Sequence, residues 1–284
     1  MNTNHYMKNL ALRAVSGTIY VCLIVGALLG GTAWSTALFS LFCVLAMTEF
    51  QGITLGPVRS GIDVALRAVD TVTALAFCNI CYILDFPTPV TIAVASLVLG
   101  YTLIRFTLAL YHKTAGATDA LTEVAWSALS LLYIAMPLSM LGMLCTEAPG
   151  NMMVLVMFVM IWLNDTGAYC VGSLCGRHKL FERLSPKKSW EGFFGGLAFC
   201  LAAGAGAYYI LGPVFPLVGW LGIGAMVCVL STWGDLFESL LKRTHGIKDS
   251  GKLIPGHGGI LDRIDSMLFA SIGIFIIMFF NDLA

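Results

Sequence analysis

About nine apolar runs follow one another along this chain, each near the length that crosses a hydrocarbon core. They fall at roughly 16–31, 33–48, 65–84, 88–108, 125–145, 151–172, 192–212, 217–235 and 266–281. Only helices and closed barrels satisfy their backbone in lipid, and runs this long and continuous are helical rather than alternating. The expected fold is therefore all-α, a polytopic integral membrane protein with about nine transmembrane helices. No polar cleavage region follows the first run, so that run is expected to stay in the protein and not to act as a signal peptide.

Composition agrees with this. The 284 residues are 58% hydrophobic and 11% charged, against about 45–50% and about 25% in soluble domains. Thirty glycines and thirteen methionines suit close helix packing, in which small residues admit neighbouring backbones and Met fills gaps. With 16 basic and 16 acidic residues, no net field argues for nucleic acid. The nine cysteines make neither a zinc spacing nor a disulfide framework and read as small hydrophobes. Cys78 and Cys81 form a CxxC inside an apolar helix, without the βαβ context of a redox motif.

With the N-terminus in the cytoplasm, every Lys and Arg falls on one side: Lys8, Arg13, Arg59, Arg67, Arg105, Lys113 and the loops near 173–191 and 242–265. The opposite connections, around Asp85, Glu147 and Asp282, carry none. A cytoplasmic N-terminus is expected, with Arg67 and Arg105 snorkelling from helix ends. Residues 1–150, a scaffold of helices, hold six basic residues, whereas 151–284 hold ten, nearly all in two loops rich in Gly, Pro and His. Chemistry is expected in that second region. There is no low-complexity segment and no clear repeat, so an inverted-repeat transporter gains no support.

Where the eighth run leaves the bilayer, Asp235, Glu238, Ser239 and Lys242 share one helical face. An interfacial helix end would carry the same pattern. The following segment, Thr244 to Leu261, has five glycines in 18 residues, and glycine-rich backbone can turn N–H groups toward phosphate. His257-Gly258-Gly259 precedes the last helix, whose N-terminus favours anions. Lys248, Asp249, Lys252 and His257 together exceed what a connecting loop requires. Asp262-Arg263-Ile264-Asp265 then opens the ninth run with two carboxylates on one face, hard ligands suited to Mg²⁺, although Asp at a helix start is also a common cap. Asp165 in Asn164-Asp165-Thr166-Gly167-Ala168-Tyr169 sits within the sixth run, a costly position unless it faces a polar cavity. Ser185-Pro186-Lys187-Lys188-Ser189-Trp190-Glu191-Gly192 offers cations for a triphosphate and a ring on which a base can stack. The two lysines serve the positive-inside bias equally well.

The stretch from Ser239 to Asp265 resembles the signature of phosphatidate cytidylyltransferases, also called CDP-diacylglycerol synthases. Ser239, Lys242, Arg243, Lys248, Asp249, Gly251, Pro255, His257, Gly258, Gly259, Asp262, Arg263, Ile264 and Asp265 stand at that family's spacing, without departure. The motifs at 164–169 and 185–192 are similar to the family's upstream motifs. The resemblance implies Mg²⁺-dependent transfer of a cytidylyl group from CTP to phosphatidate, releasing pyrophosphate. It implies metal ligation by Asp235 and Asp262, with Asp249 and Asp265 as further or supporting ligands, and Lys248 with these carboxylates as the catalytic set. Asp165, Ser185, Lys187, Lys188, Trp190, Ser239, Lys242, Arg243, His257, Gly258, Gly259 and Arg263 are then the substrate-binding residues. Lys187 and Lys188 are assigned to CTP, and Lys242 and Arg243 to the phosphatidate head group.

Such an enzyme is expected in the inner, cytoplasmic membrane of a bacterium, its site open to the cytoplasm, and a homo-oligomer is compatible with the sequence. A CTP-dependent lipid-alcohol kinase would share the nucleotide and the metal but would not match the whole of 239–265. A cation-coupled transporter would use Asp70, Asp165 and Asp235 as ion sites, leaving the glycine-histidine loop without a role.

Overall fold

The structure is a computed structural model that describes residues 3–83, 88–112, 117–146, 149–212, 214–254 and 258–282; for 3–13, 81–83, 88–89, 117–118 and 282 it gives the backbone alone. Asp85, Lys113, Glu147, Pro255 and His257, each used above, lie outside the described residues.

Among the described residues ten α-helices follow in order: α1 (Thr3–Leu29), α2 (Thr32–Thr54), α3 (Gly61–Ile83), α4 (Thr88–Leu110), α5 (Ala117–Ser130), α6 (Met136–Leu144), α7 (Gly150–Cys175), α8 (Trp190–Leu211), α9 (Leu217–Thr244) and α10 (Leu261–Asp282). A π-helical turn, Leu131–Ala135, joins α5 to α6 as one rod. Its cause is Pro137, which lacks an N–H and whose ring would meet the carbonyl of Tyr133 in a regular α-helix. The nine apolar runs thus correspond to nine helical rods among the described residues.

Seven of these rods are long and apolar enough to cross a membrane, α1 and α3 being the other two. The described side chains of α1 form a shorter apolar stretch, Ala14–Leu29, and α3 carries Asp63, Arg67 and Asp70 in its first half. Large apolar side chains point outward along the rods: Leu103 is 69% exposed, Leu110 85%, Ile210 81% and Val218 79%. In water such a surface would drive aggregation; in a bilayer it is the solvated face. The protein is an all-α polytopic membrane protein.

The chain divides into two compact units, residues 1–151 with 249–262, and residues 152–248 with 263–284. In the first, α3 packs against α2, α4 and α6. Asp70 and Arg105 are buried there, Nε to Oδ1 3.2 Å. Tyr101 Oη donates to Asp70 Oδ1 at 3.0 Å, Ser127 Oγ to Asp70 Oδ2 at 2.7 Å, and Arg105 Nη2 to Ser127 Oγ at 2.7 Å. Arg105 therefore does not snorkel, as its place near a helix end suggested: a buried carboxylate on α3 holds it inside. Arg67 folds back to the Gly56 carbonyl, Nη2 to O 2.5 Å. The described cysteines are free thiols.

In the second unit α8 packs closely along α9. A Cβ on Gly224 would come 2.5 Å from the Cys200 carbonyl oxygen, so the two backbones meet where no side chain intervenes. The loop before α8 holds a feature the apolar runs do not announce, an antiparallel hairpin of β1 (Lys179–Phe181) and β2 (Ser185–Ser189). Pro186 is tolerated because β2 is an edge strand. Ser189 ends the hairpin and caps α8, its Oγ accepting from Gly192 N at 3.1 Å.

Candidate active site

A cavity of about 380 Å³ opens in the second unit between α7, the hairpin, α8 and α9. Asn164, Asp165, Tyr169, Lys187, Lys188, Ser189, Ser231 and Thr232 supply its polar wall, and Leu180 and Phe193 part of its apolar wall. This volume suits a small organic ligand held by a few polar groups. Asn164 Nδ2 donates to Ser231 Oγ at 3.2 Å, tying α7 to α9 at the cavity. Trp190 is half-exposed beside it, its ring 5.9 Å from that of Phe193 and 6.2 Å from that of Phe194.

The hairpin delivers Lys188 to α9, its Nζ 2.6 Å from Asp235 Oδ2. Ser239 Oγ, one helical turn further along α9, donates to the other oxygen, Oδ1, at 3.3 Å. Asp165 and Asp265 both lie within electrostatic reach of Asp235 and of Lys188. Gly234 explains the approach of α9 to α10, since a Cβ there would stand 2.5 Å from the Asp265 carbonyl oxygen. Three carboxylates, on α7, α9 and α10, thus meet two cations, Lys188 and, within reach of Asp165, Arg263, which leaves an excess of negative charge suited to a cation.

Among the described residues, no three His, Cys, Asp or Glu side chains form a ready-made metal cage. That is compatible with Mg²⁺, which is usually bound by one or two carboxylates together with waters and substrate phosphates. Asp235 and Asp265 are the pair that fits: Asp265 is buried, Asp235 half-buried, and Lys188 is the cation already beside them.

Other residues singled out from the sequence are engaged differently. Lys242 Nζ pairs with buried Glu238, 2.5 Å to Oε2. Arg243 Nη1 donates to the Ile247 carbonyl at 3.1 Å, holding the turn in which Gly246 adopts φ +69°. Ser185 opens β2, and Lys248, Asp249 and Arg263 are exposed.

In the first unit, two carboxylates organise Ser250 and residues 259–262. Asp262 Oδ2 accepts from Ser250 N at 2.9 Å and Gly259 N at 2.8 Å, and lies 2.9 Å from Ser250 Oγ, whose one proton it shares with Glu49. Glu49, on α2, accepts from Ile260 N at Oε1 and from Leu261 N at Oε2, both 2.9 Å, and from Ser250 Oγ at 3.0 Å. The N–H groups of Ser250, Gly259, Ile260 and Leu261, which such a segment could turn toward phosphate, are here directed at side chains of the protein itself. Gly258 takes φ +84°, as a tight turn requires. Gly251 and Gly259 are glycines for a different reason: Glu49 occupies the space a Cβ would fill.

Glu49 was absent from the sequence reading. Its signal was present, because it is the single charged residue of α2, and an ionisable group inside an apolar helix marks a functional position by default. Ile260 and Leu261 are buried, so their amides would each lose about 1–3 kcal/mol if left without an acceptor. Glu191, part of the 185–192 motif, has a role that its residue type did not assign: it accepts from Arg177 N and His178 N at 3.1–3.2 Å and so fixes the turn entering the hairpin.

The model of the cytidylyltransferase family matches residues 11–281. The chain is 44% identical over 126 residues to a phosphatidate cytidylyltransferase of Staphylococcus aureus, covering 44% of this chain and 48% of that protein. It is 39% identical over 149 residues to one from Staphylococcus haemolyticus, covering 52% and 56%. To one from Synechocystis it is 45% identical over 123 residues, covering 43% and 41%. The chain thus spans about half the length of the curated relatives it matches.

Proposed function

The chain belongs to the cytidylyltransferase family, and from that membership we propose that it transfers the cytidylyl group of CTP to phosphatidate, giving CDP-diacylglycerol and pyrophosphate. The observation that carries this reading is the cavity of the second unit, with Lys187 and Lys188 on its wall and Asp235 held by Lys188. The relatives named phosphatidate cytidylyltransferase support the choice of lipid acceptor.

In the proposed reaction a phosphate oxygen of phosphatidate attacks the α-phosphorus of CTP. The new P–O bond forms as the bond to the β-phosphate oxygen breaks, and pyrophosphate leaves with the electron pair. The attacking phosphate is already anionic and needs no strong base, so the protein must chiefly position two polyanions and offset their charge. Lys187 and Lys188 hold the triphosphate. Ser231 and Thr232 offer hydroxyls along the same wall, and Trp190, exposed next to the wall residue Phe193, offers a ring for the base. Mg²⁺, held by Asp235 and Asp265 together with substrate phosphates, would neutralise the charge growing on pyrophosphate. The triphosphate of CTP would compete with Asp235 for the Lys188 ammonium.

Phosphatidate keeps its acyl chains in the bilayer, whereas CTP is supplied by the cytosol. The site is accordingly proposed to open to the cytoplasm, in the inner membrane of a bacterium. Asp70, which a transporter reading takes as an ion site, is instead buried and paired with Arg105. The deciding experiment incubates the purified protein in detergent with labelled CTP, phosphatidate and Mg²⁺ and identifies the lipid product. CDP-diacylglycerol is expected; a phosphorylated alcohol, formed when an alcohol is offered instead, would make the protein a kinase.

A further inference from the structure

We propose that Glu49 is a positioning residue for the reaction: from α2 in the N-terminal helices, its carboxylate holds Ser250 and the start of α10 in their working conformation. This rests on the reading that the segment, which carries Asp249 and Asp262, takes part in cytidylyl transfer.

The geometry is specific. One carboxylate accepts from two successive amides, Ile260 N and Leu261 N, and from the Ser250 hydroxyl, each within 2.9–3.0 Å. The amides belong to the start of α10, where N–H groups have no partner inside the helix and the helix dipole favours an anion. Ser250 links this grip to Asp262, because its Oγ also reaches Asp262 Oδ2 at 2.9 Å. Glu49 therefore orders both ends of the segment, Ser250 at its beginning and the α10 start at its end.

Two glycines record the fit. A Cβ on Gly251 would stand 2.6 Å from Glu49 Oε1 and 2.9 Å from its Cδ, with no atom other than Glu49's among its nearest neighbours. A Cβ on Gly259 would collide with both Glu49 Oε2 and Ser250 Oγ. The residue types on the segment are thus matched to a carboxylate some two hundred residues away in sequence, and a glutamine would not replace it. Its amide end would present N–H to an N–H donor.

The test is a double-mutant cycle on the full chain in detergent, Glu49→Ala with Gly251→Ala, with Glu49→Gln alongside, read by amide hydrogen exchange and by steady-state kinetics. Glu49→Gln and Gly251→Ala are each expected to speed exchange of the 249–262 peptide about tenfold while leaving the peptides of α8 and α9 unchanged. Each should lower kcat about tenfold, with a smaller change in KM for CTP. In the Glu49→Ala background, Gly251→Ala should add almost nothing, because the collision is gone. Additive effects, unchanged exchange at 249–262, or accelerated exchange with normal kcat would each overturn the proposal. The exchange coupling can be read without turnover, so a protein that made no CDP-diacylglycerol would refute the proposed reaction while leaving the coupling between Glu49 and Gly251 measurable.

Discussion

The Nζ of Lys188 lies 2.6 Å from Oδ2 of Asp235, which ties the strand before α8 to the middle of α9. A lysine on the cavity wall and a helix aspartate, separated in sequence by one transmembrane helix, are thereby joined.

From this contact, Lys188→Ala should raise the apparent KM for CTP about tenfold, the loss of one charge-assisted phosphate contact. Arg243→Ala should act mainly on the KM for phosphatidate, measured with the lipid as a surface fraction in mixed micelles. Its guanidinium also holds the turn at Ile247, so a fall in kcat is expected beside it. Equal effects of both substitutions on both substrates would show that the site is not divided in this way.

Asp235→Asn and Asp265→Asn should each abolish turnover while the protein still inserts and purifies. Both belong to a group of mutually repelling carboxylates, so either change should leave the metal-free melting temperature unaltered or slightly higher. A variant with near-normal turnover at limiting Mg²⁺ would remove that residue from the cation site. Asp262→Asn should also lose activity, but with faster exchange of the 249–262 peptide, because Oδ2 of Asp262 accepts from the Ser250 and Gly259 amides there.

Gly234→Ala would place a methyl group 2.5 Å from a backbone oxygen of α10. A backbone neighbour cannot rotate away, so the helices must part, at a cost of about 1–3 kcal/mol. The expected outcome is a lower melting temperature in detergent together with a fall in kcat, as Asp235 and Asp265 are displaced. Retained stability with full activity would mean that the close approach is dispensable.

Arg105→Ala leaves Asp70 buried without its counter-charge and should destabilise the protein by about 3–5 kcal/mol. Replacing both residues with leucine should recover much of that loss and retain cytidylyl transfer, since the pair fastens α3 to α4 and takes no part in the chemistry. If the leucine pair were stable but inactive, Asp70 would have a function beyond packing.

Reporter fusions at Ser185 and at Gly251 should both report the cytoplasm. A signal from the opposite side at either position would overturn the assigned orientation.

Much of this protein is determined locally, and the sequence by itself suffices there. Hydrophobic runs of transmembrane length become helices wherever they occur, because the backbone has no other partner in lipid, and the rods match the runs in number and order. Ser239 and Asp235 could be paired from helical spacing alone, as could Lys242 and Glu238. The motif residues that line the cavity, Asp165, Lys187 and Lys188, were recognisable by type. Tertiary structure decided what depends on contacts between distant segments. Arg105 is buried and not snorkelling because Asp70, 35 positions earlier, meets it inside the unit. The hairpin forms in a loop too short and too polar to show a strand pattern. Glu49 reads as a lone carboxylate until folding brings Ile260 and Leu261 to it. No periodicity links positions so far apart; hydrogen bonds between them exist only once the helices have packed, and that packing selects which carboxylate receives the start of α10.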